Sequence, residues 1–393
     1  MVVVEVAEGV YWVGAVDWSI RDFHGYVTRH GTTYNAYLVK GDKVALVDTV
    51  KADFSAELLA KVKEMTPPER IDYVVVNHVE PDHSGALPLV MSVAKNARVI
   101  ATGAGVNGLI RHYHREDWPL SVAKTGDELP LGGKTLSFIE APMLHWPDSM
   151  FTYVKEDGLL LPNDAFGQHL ATSQRFDDEV GDVMGPAAEY YANILMPLST
   201  QVTRIIEKLK GMGLRINTIA PSHGVIWRKD PARIIQAYLE WSEGRSRSKA
   251  IVVFDSMWGS TEKMAHAIAE GIASRGVEAK LFHLRRDDIN EVLSEALDAK
   301  AIIIGSSTLN NGSLPAVAGF LAYLKGLRPK GKTTAVFGSY GWGGGAIRAI
   351  EAECKAMGLE ALADALAVKY VPDQDELQMC VEYGRRIADG IKS

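Results

Sequence analysis

Asn77-His78-Val79-Glu80-Pro81-Asp82-His83-Ser84-Gly85 follows directly on the apolar run Val74-Val75-Val76. The apolar run predicts a buried strand over about Ile71 to Asn77, and the residues after it are dense in metal-ligating types, His78, Glu80, Asp82 and His83. Side chains alternate along an extended backbone, so His78, Glu80 and Asp82 are expected on one side, with His83 a further candidate.

Three more ligand-type residues lie downstream, each just past a predicted short strand. His145 stands in Leu144-His145-Trp146-Pro147-Asp148 after a strand at Thr135 to Glu140. Asp164 stands in Pro162-Asn163-Asp164 after one at Gly158 to Pro162. His223 stands in Pro221-Ser222-His223-Gly224 after one at Ile216 to Ala220. Strand ends are where such scaffolds present side chains to a shared cleft. His78, Glu80, Asp82, His145, Asp164 and His223 provide imidazoles and carboxylates enough for two metals, one carboxylate bridging. On spacing alone His24, His30, His112, His114, His169, His266 and His283 read as ordinary hydrogen-bonded histidines.

Upstream, Val10-Tyr-Trp-Val-Gly, Thr33 to Val39 and Val44 to Asp48 read as meandering strands, and a helix from about Ser55 to Met65 stops at Pro67-Pro68. Downstream, a helix from Trp227 to about Trp241 gives way to the polar stretch Ser242 to Lys249, taken as the domain boundary. The expected domains are 1–248 and 249–393. Beyond the boundary strands and helices alternate: Ile251 to Phe254, Thr261 to Ser274, Glu278 to Leu284, Ile289 to Leu297, Ala301 to Gly305, Val317 to Leu324, Thr334 to Phe337, Ala346 to Met357 and Ala363 to Val368. That alternation predicts a doubly wound parallel sheet.

At the first strand-to-helix junction of this second domain stands Ser256-Met257-Trp258-Gly259-Ser260-Thr261. A helix N-terminus offers backbone N–H groups and partial positive charge, and the hydroxyls add donors for a phosphate. The loop lacks the Gly-Lys-Ser/Thr of a nucleotide P-loop and is not Gly-x-Gly-x-x-Gly, which disfavours ATP and NAD and leaves a flavin monophosphate. Ser307-Thr308-Leu309-Asn310-Asn311 and Ser339-Tyr340-Gly341-Trp342-Gly343-Gly344 end the next strands on the same edge, where open parallel sheets bind ligands. Trp258, Tyr340 and Trp342 can stack on an isoalloxazine ring.

The chain has 393 residues, 47 % hydrophobic and 23 % charged, with 42 Lys plus Arg against 49 Asp plus Glu and a net charge of −7. That is an ordinary globular composition. Without a concentrated basic surface, nucleic acid and anionic membranes are poor partners. Cys354 and Cys380, the only cysteines, cannot build a disulfide framework, a four-cysteine metal site or an iron–sulfur cluster and are expected to be buried thiols. The N-terminal residues carry acids where a signal peptide needs an apolar core, and no run of about 18 apolar residues follows. The expected location is the cytoplasm.

His-x-Glu-x-Asp-His resembles the metallo-β-lactamase ligand motif, with Glu80 where zinc hydrolases usually carry a second histidine. A harder, oxygen-rich site favours iron or manganese over zinc. The loops of the second domain resemble those of flavodoxin. The expected fold is therefore an α/β one, an N-terminal metallo-β-lactamase-like αββα sandwich followed by a C-terminal flavodoxin-like sheet. Over essentially the entire chain this pairing resembles the flavodiiron proteins, most closely the rubredoxin:oxygen oxidoreductases, including at Arg21 to Tyr26, Leu144 to Met150 and Asp255 to Trp258.

The resemblance implies two non-haem irons and FMN in each chain. It implies that His78, Glu80 and His145 hold one iron, Asp82 and His223 the other, with Asp164 bridging and His83 either a ligand of the second iron or an outer group. His24 and Tyr191 would line the substrate pocket. The implied reaction is reduction of dioxygen to water, with reduction of nitric oxide to nitrous oxide as the alternative on the same site. With no Cys-x-x-Cys pairs and no NAD(P)H fingerprint, electrons would come from a separate rubredoxin-like donor. The family's head-to-tail homodimer, alone or as a dimer of dimers, would bring each FMN beside its partner's irons. Two readings of other classes compete: a dimetal hydrolase with a flavodoxin docking domain, and a pure electron carrier with a vestigial metal domain.

Overall fold

The computed structural model describes residues 2–392. The chain forms two compact units: residues up to Tyr190 with Thr200–Leu239, and Tyr191–Ser199 with the residues from Glu240 onward. No helix among the described residues is long and apolar enough to cross a membrane.

The first unit holds two stacked sheets. One has seven strands in the order Val4–Ala7, Val10–Trp12, Tyr37–Lys40, Val44–Val47, Tyr73–Val75, Arg98–Ala101 and Leu120–Val122. The other has five, Glu128–Pro130, Thr135–Glu140, Met150–Val154, Leu159–Leu161 and Thr218–Ile219. Alternation along the strands builds two separate cores. Tyr37, Val39, Ala45, Val47 and Val75 pack between the sheets against Leu136, Phe138, Met150, Val154 and Leu161. Leu38, Leu46, Val74 and Val99 face the other way, onto helical side chains such as Leu58, Val62, Leu87, Val90 and Leu109. Each Leu or Val so buried contributes roughly 1.5–3 kcal/mol. The helix Ser55–Met65 buries Leu58 and Val62 one turn apart, and the prolines after it cannot continue it.

In the second unit the sheet order is Glu278–His283, Arg247–Asp255, Ala299–Ser307, Thr333–Tyr340, with Glu360–Ala361 and Leu366–Lys369 both paired to the last, all parallel. Strand order therefore reverses between Arg247–Asp255 and Ala299–Ser307, which opens a crevice at their carboxyl ends. Cys354 and Cys380 are buried free thiols.

Several expectations shift. The predicted strand ending at Asn77 is only Tyr73–Val75. The polar stretch taken as the domain boundary is structured: the helix Pro231–Glu243 runs into it and Arg247–Lys249 already belong to a nine-residue strand, so position 248/249 falls inside that strand. Lys249 there is buried and paired with Glu295 and Asp298 at 2.5 and 2.6 Å, which is why a polar sequence can enter a sheet. Helices at Leu87–Val93, Gly103–Tyr113, Met184–Tyr190, Ser199–Gly211 and Gln374–Lys392 lie outside the sequence expectations.

Candidate metal centre and flavin site

The motif after Val74-Val75-Val76 is not extended throughout. Glu80 is the N-cap, and Pro81–Ser84 make one helical turn with Pro81 pre-set at its start. The turn breaks the alternation, so Asp82 shares a group with Glu80 but not the one that holds His78. Two clusters result, each with ligand atoms within 4.8 Å of one another, His78, Glu80, His145 and Asp164, and Asp82, His83 and His223, and a third group of the same kind, His24, Glu80 and Asp82, links them.

Asp164 faces both. Its Oδ2 lies 3.4 Å from His145 Nε2 and 3.9 Å from His78 Nε2, while its Oδ1 lies 3.1 Å from His83 Nε2 and 3.4 Å from His223 Nε2. Within the first cluster Glu80 Oε2 is 3.3 Å from His78 Nε2 and 3.2 Å from His145 Nε2. Within the second, Asp82 Oδ2 is 3.1 Å from both His83 Nε2 and His223 Nε2.

These atoms are close without pairing well. Both Asp82 oxygens, Asp164 Oδ2, His145 Nε2 and His223 Nε2 are buried and lack a hydrogen bond of acceptable geometry. Lone pairs aimed at shared points rather than at each other are what metal ligation requires. The electrostatics agree. Burial opposes charge on His78, yet its hydrogen bonds to Asp148 and Glu80 outweigh burial and raise its pKa to about 10. Against the same opposition, Asp164 and Asp82 raise His223 to about 10, and Asp164 and Glu80 raise His145 to about 9. Burial pushes the Asp164 carboxyl up, but the surrounding imidazoles hold it well below its usual range. The buried carboxylates demand positive charge, which divalent ions supply while leaving the imidazoles neutral. Two iron ions fit this donor set.

Outer contacts fix the ligands. Asp148 Oδ2 accepts from His78 Nδ1 at 2.9 Å and from Val79 N at 2.8 Å. The carbonyl of Thr33 lies 2.6 Å from His223 Nδ1. In both rings this turns Nε2 toward the site. His24, in the turn between Asp22–Phe23 and Tyr26–Val27, places Nε2 at 3.1 Å from Glu80 Oε1 and stacks on Phe23.

The Tyr191 hydroxyl lies 3.1 Å from Ser199 Oγ with the ring against Trp241, all in the second unit. Its neighbour Tyr190 instead donates to Asp164 Oδ1 at 2.9 Å. Nothing in a Tyr-Tyr pair says which hydroxyl faces the site. His169, read as an ordinary histidine, has its ring 5.0 Å from that of His223 and Nδ1 2.8 Å from Thr32 Oγ1. Asp148 carried a usable signal, since it stands three residues after His145.

In the second unit the expected flavin loops meet at the sheet's carboxyl edge. Thr261 Oγ1 lies 2.9 Å from both Ser307 Oγ and Ser339 Oγ, joining all three loops. Gly259, at φ +83°, precedes the helix Ser260–Ser274, whose first turn has no side-chain cap, so its amides remain available to an anion. Trp258 and Trp342 stand 90 % and 96 % exposed, far from the usual state of tryptophan and suited to covering a planar ring. Asn310 and Asn311 both adopt left-handed backbone. Gly345 packs so closely that a Cβ would meet Asn311 O at 2.0 Å. The uncapped helix end, hydroxyls and aromatics fit a flavin monophosphate.

Comparison with known proteins adds the following. A family described as ODP family beta lactamase matches residues 32–224, and the flavodoxin family matches residues 252–384. A protein of Moorella thermoacetica named nitric oxide reductase is 53 % identical over 390 residues, 98 % of each chain. The structure of rubredoxin oxygen:oxidoreductase from the anaerobe Desulfovibrio gigas superposes with a TM-score of 0.96 at 40 % identity, covering 100 % of this chain and 99 % of that one. The flavodiiron protein from Giardia intestinalis superposes with a TM-score of 0.96 at 36 % identity, covering 100 % and 97 %.

Proposed function

Because the chain belongs to the flavodiiron proteins, an oxidoreductase family that joins a diiron site to FMN, we propose that it reduces dioxygen to water. Its electrons come from a separate rubredoxin-like donor. The observation that carries this reading is Asp164, with one carboxylate oxygen turned to each ligand cluster. When bound, two ferrous ions and a reduced flavin supply the four electrons dioxygen needs, with Lewis acidity for the developing charge.

The chain's own residues hold and orient. His78, Glu80 and His145 would hold one iron and Asp82, His83 and His223 the other, with Asp164 available to both. Asp148 and the Thr33 carbonyl keep His78 and His223 in the ligating orientation. Tyr190 points its hydroxyl at Asp164 Oδ1. Burial, and then the Asp164 charge, raise the Tyr190 pKa well above its ordinary value, so it stays a proton-bearing donor. His24 supports Glu80 from the rim. Ser256 to Thr261 would hold the flavin phosphate, and Ser307 to Asn311 and Ser339 to Gly344 would border the ring.

A second reading, reduction of nitric oxide to nitrous oxide on the same centre, is favoured by the 53 % identity to the Moorella protein of that name. The hydrolase reading is opposed by Glu80 at a zinc histidine's place and by the flavin loops. A head-to-tail homodimer or dimer of dimers in the cytoplasm belongs to the same proposal, since it brings each flavin beside its partner's irons.

Anaerobic measurement of oxygen and nitric oxide consumption with reduced rubredoxin tests the choice of gas. About two irons and one FMN per chain are expected, and faster oxygen than nitric oxide turnover supports the first reading. Zinc in place of iron would overturn both.

A further inference from the structure

The loop Ser256–Thr261 is flanked by an acid on each side, an awkward setting for a phosphate dianion. Asp255, at the end of its strand, is 2 % exposed, and Glu262 lies in the first turn of the following helix. Both acids are met by consecutive arginines in the turn after the neighbouring strand Glu278–His283. Arg285 Nε donates to Asp255 Oδ1 at 2.7 Å, and its Nη2 donates to the carbonyl of Ser256. Arg286 Nη1 donates to Glu262 Oε1 at 3.0 Å.

That turn is itself braced. Arg286 N and Asp287 N both donate to His283 O, His283 N donates to Asp287 Oδ2 at 2.6 Å, and the His283 ring packs on Phe254. Asp255 Oδ1 also accepts from Ser256 N at 2.8 Å. A single carboxylate oxygen thus joins the arginine to the first amide of the loop.

We propose that Arg285, assisted by Arg286, is a positioning residue that makes this site select a phosphorylated flavin. It neutralises Asp255 beside the phosphate and pins the Ser256 carbonyl away from it. The inference rests on the reading of Ser256–Thr261 as the phosphate loop. Without Arg285, the buried carboxylate keeps the Ser256 amide and the His283 ring, whose Nε2 lies 3.9 Å from Asp255 Oδ1, but loses its guanidinium, and like charges at short range in a partly dehydrated site repel strongly. A ring held only by stacking would not sense that charge. The effect therefore belongs to FMN and not to riboflavin.

The test is flavin fluorescence titration of the full-length apoprotein with FMN and with riboflavin. Arg285→Gln is expected to weaken FMN about tenfold, the scale of one charge-assisted contact, and to leave riboflavin unchanged. Arg286→Gln, whose ion pair is exposed, is expected to weaken FMN about twofold. Asp255→Asn combined with Arg285→Gln is expected to restore part of the lost FMN affinity by removing the repelling charge. Equal losses for both flavins, no loss of FMN, or no recovery in the double variant would overturn the inference. Thr261→Val separates the underlying reading. If it leaves FMN affinity unchanged, the phosphate loop lies elsewhere. If it weakens FMN selectively while Arg285→Gln does not, only the role of Arg285 is lost.

Discussion

The hydroxyl of Tyr190 donates to Asp164 Oδ1 at 2.9 Å, the same oxygen that lies 3.1 Å from His83 Nε2. One phenol therefore helps to orient the carboxylate shared by both ligand clusters. Replacing Tyr190 with Phe should keep iron bound but lower turnover roughly tenfold, the usual scale for an outer contact to a ligand. Tyr191→Phe should stay near wild type in turnover, because its hydroxyl contacts Ser199 instead. Oxygen-electrode rates beside iron content distinguish the two.

Asp164→Ala removes the carboxylate that turns one oxygen to each cluster. The expected result is loss of iron and of oxygen or nitric oxide consumption, with FMN still bound, measured by metal analysis and flavin absorbance. Wild-type consumption in this variant would end the diiron reading.

Asp148→Asn keeps the size of the side chain but removes the charge that accepts from His78 Nδ1. Metal affinity should fall about 10–100-fold. Competition against a chelator measures it, and Asp148→Glu should recover less than wild-type affinity because the short bond to Val79 N is also lost.

Lys332 tests the second unit independently of either cofactor. Burial lowers its pKa to about 8, although its Nζ donates to Leu297 O at 2.7 Å. The folded state thus binds this proton less tightly than the unfolded chain. Its penalty is full below pH 8 and fades as pH rises toward the unfolded value, so this residue's share of stability should grow by roughly 2 kcal/mol between pH 8 and pH 10. Urea midpoints of wild type and Lys332→Met should differ most at pH 7.5 and converge by pH 10; a gap independent of pH would contradict the shift.

Some elements were hidden from the sequence for identifiable reasons. The helix Gly103–Tyr113 contains Gly103, Gly105 and Gly108, which lower helix propensity, yet tertiary contact needs Gly105 and Gly108. A Cβ at Gly108 would come within 2.9 Å of Val79, and one at Gly105 within 2.9 Å of Ala101. The helix is glycine-rich because it lies tight against the strand and the ligand-bearing loop. The long helix Gln374–Lys392 has an apolar face of Cys380, Tyr383, Ile387 and Ile391 among polar residues, a pattern legible in hindsight from its 3.6-residue spacing.

Which side chains gather into clusters was largely legible in the sequence alone, because metal and phosphate chemistry needs particular residue types and strand ends are where folds present them. The parallel alternation of the second unit was legible too, since period and turn chemistry are local. What only the tertiary structure decided was how the donors divide. Pro81 starts a helical turn, so Asp82 and His83 meet His223 while Glu80 meets His78 and His145. Likewise Tyr190, not Tyr191, meets Asp164. Side-chain direction within a turn, or between adjacent helical residues, is set by the surfaces packed around it, and those surfaces come from residues distant in sequence.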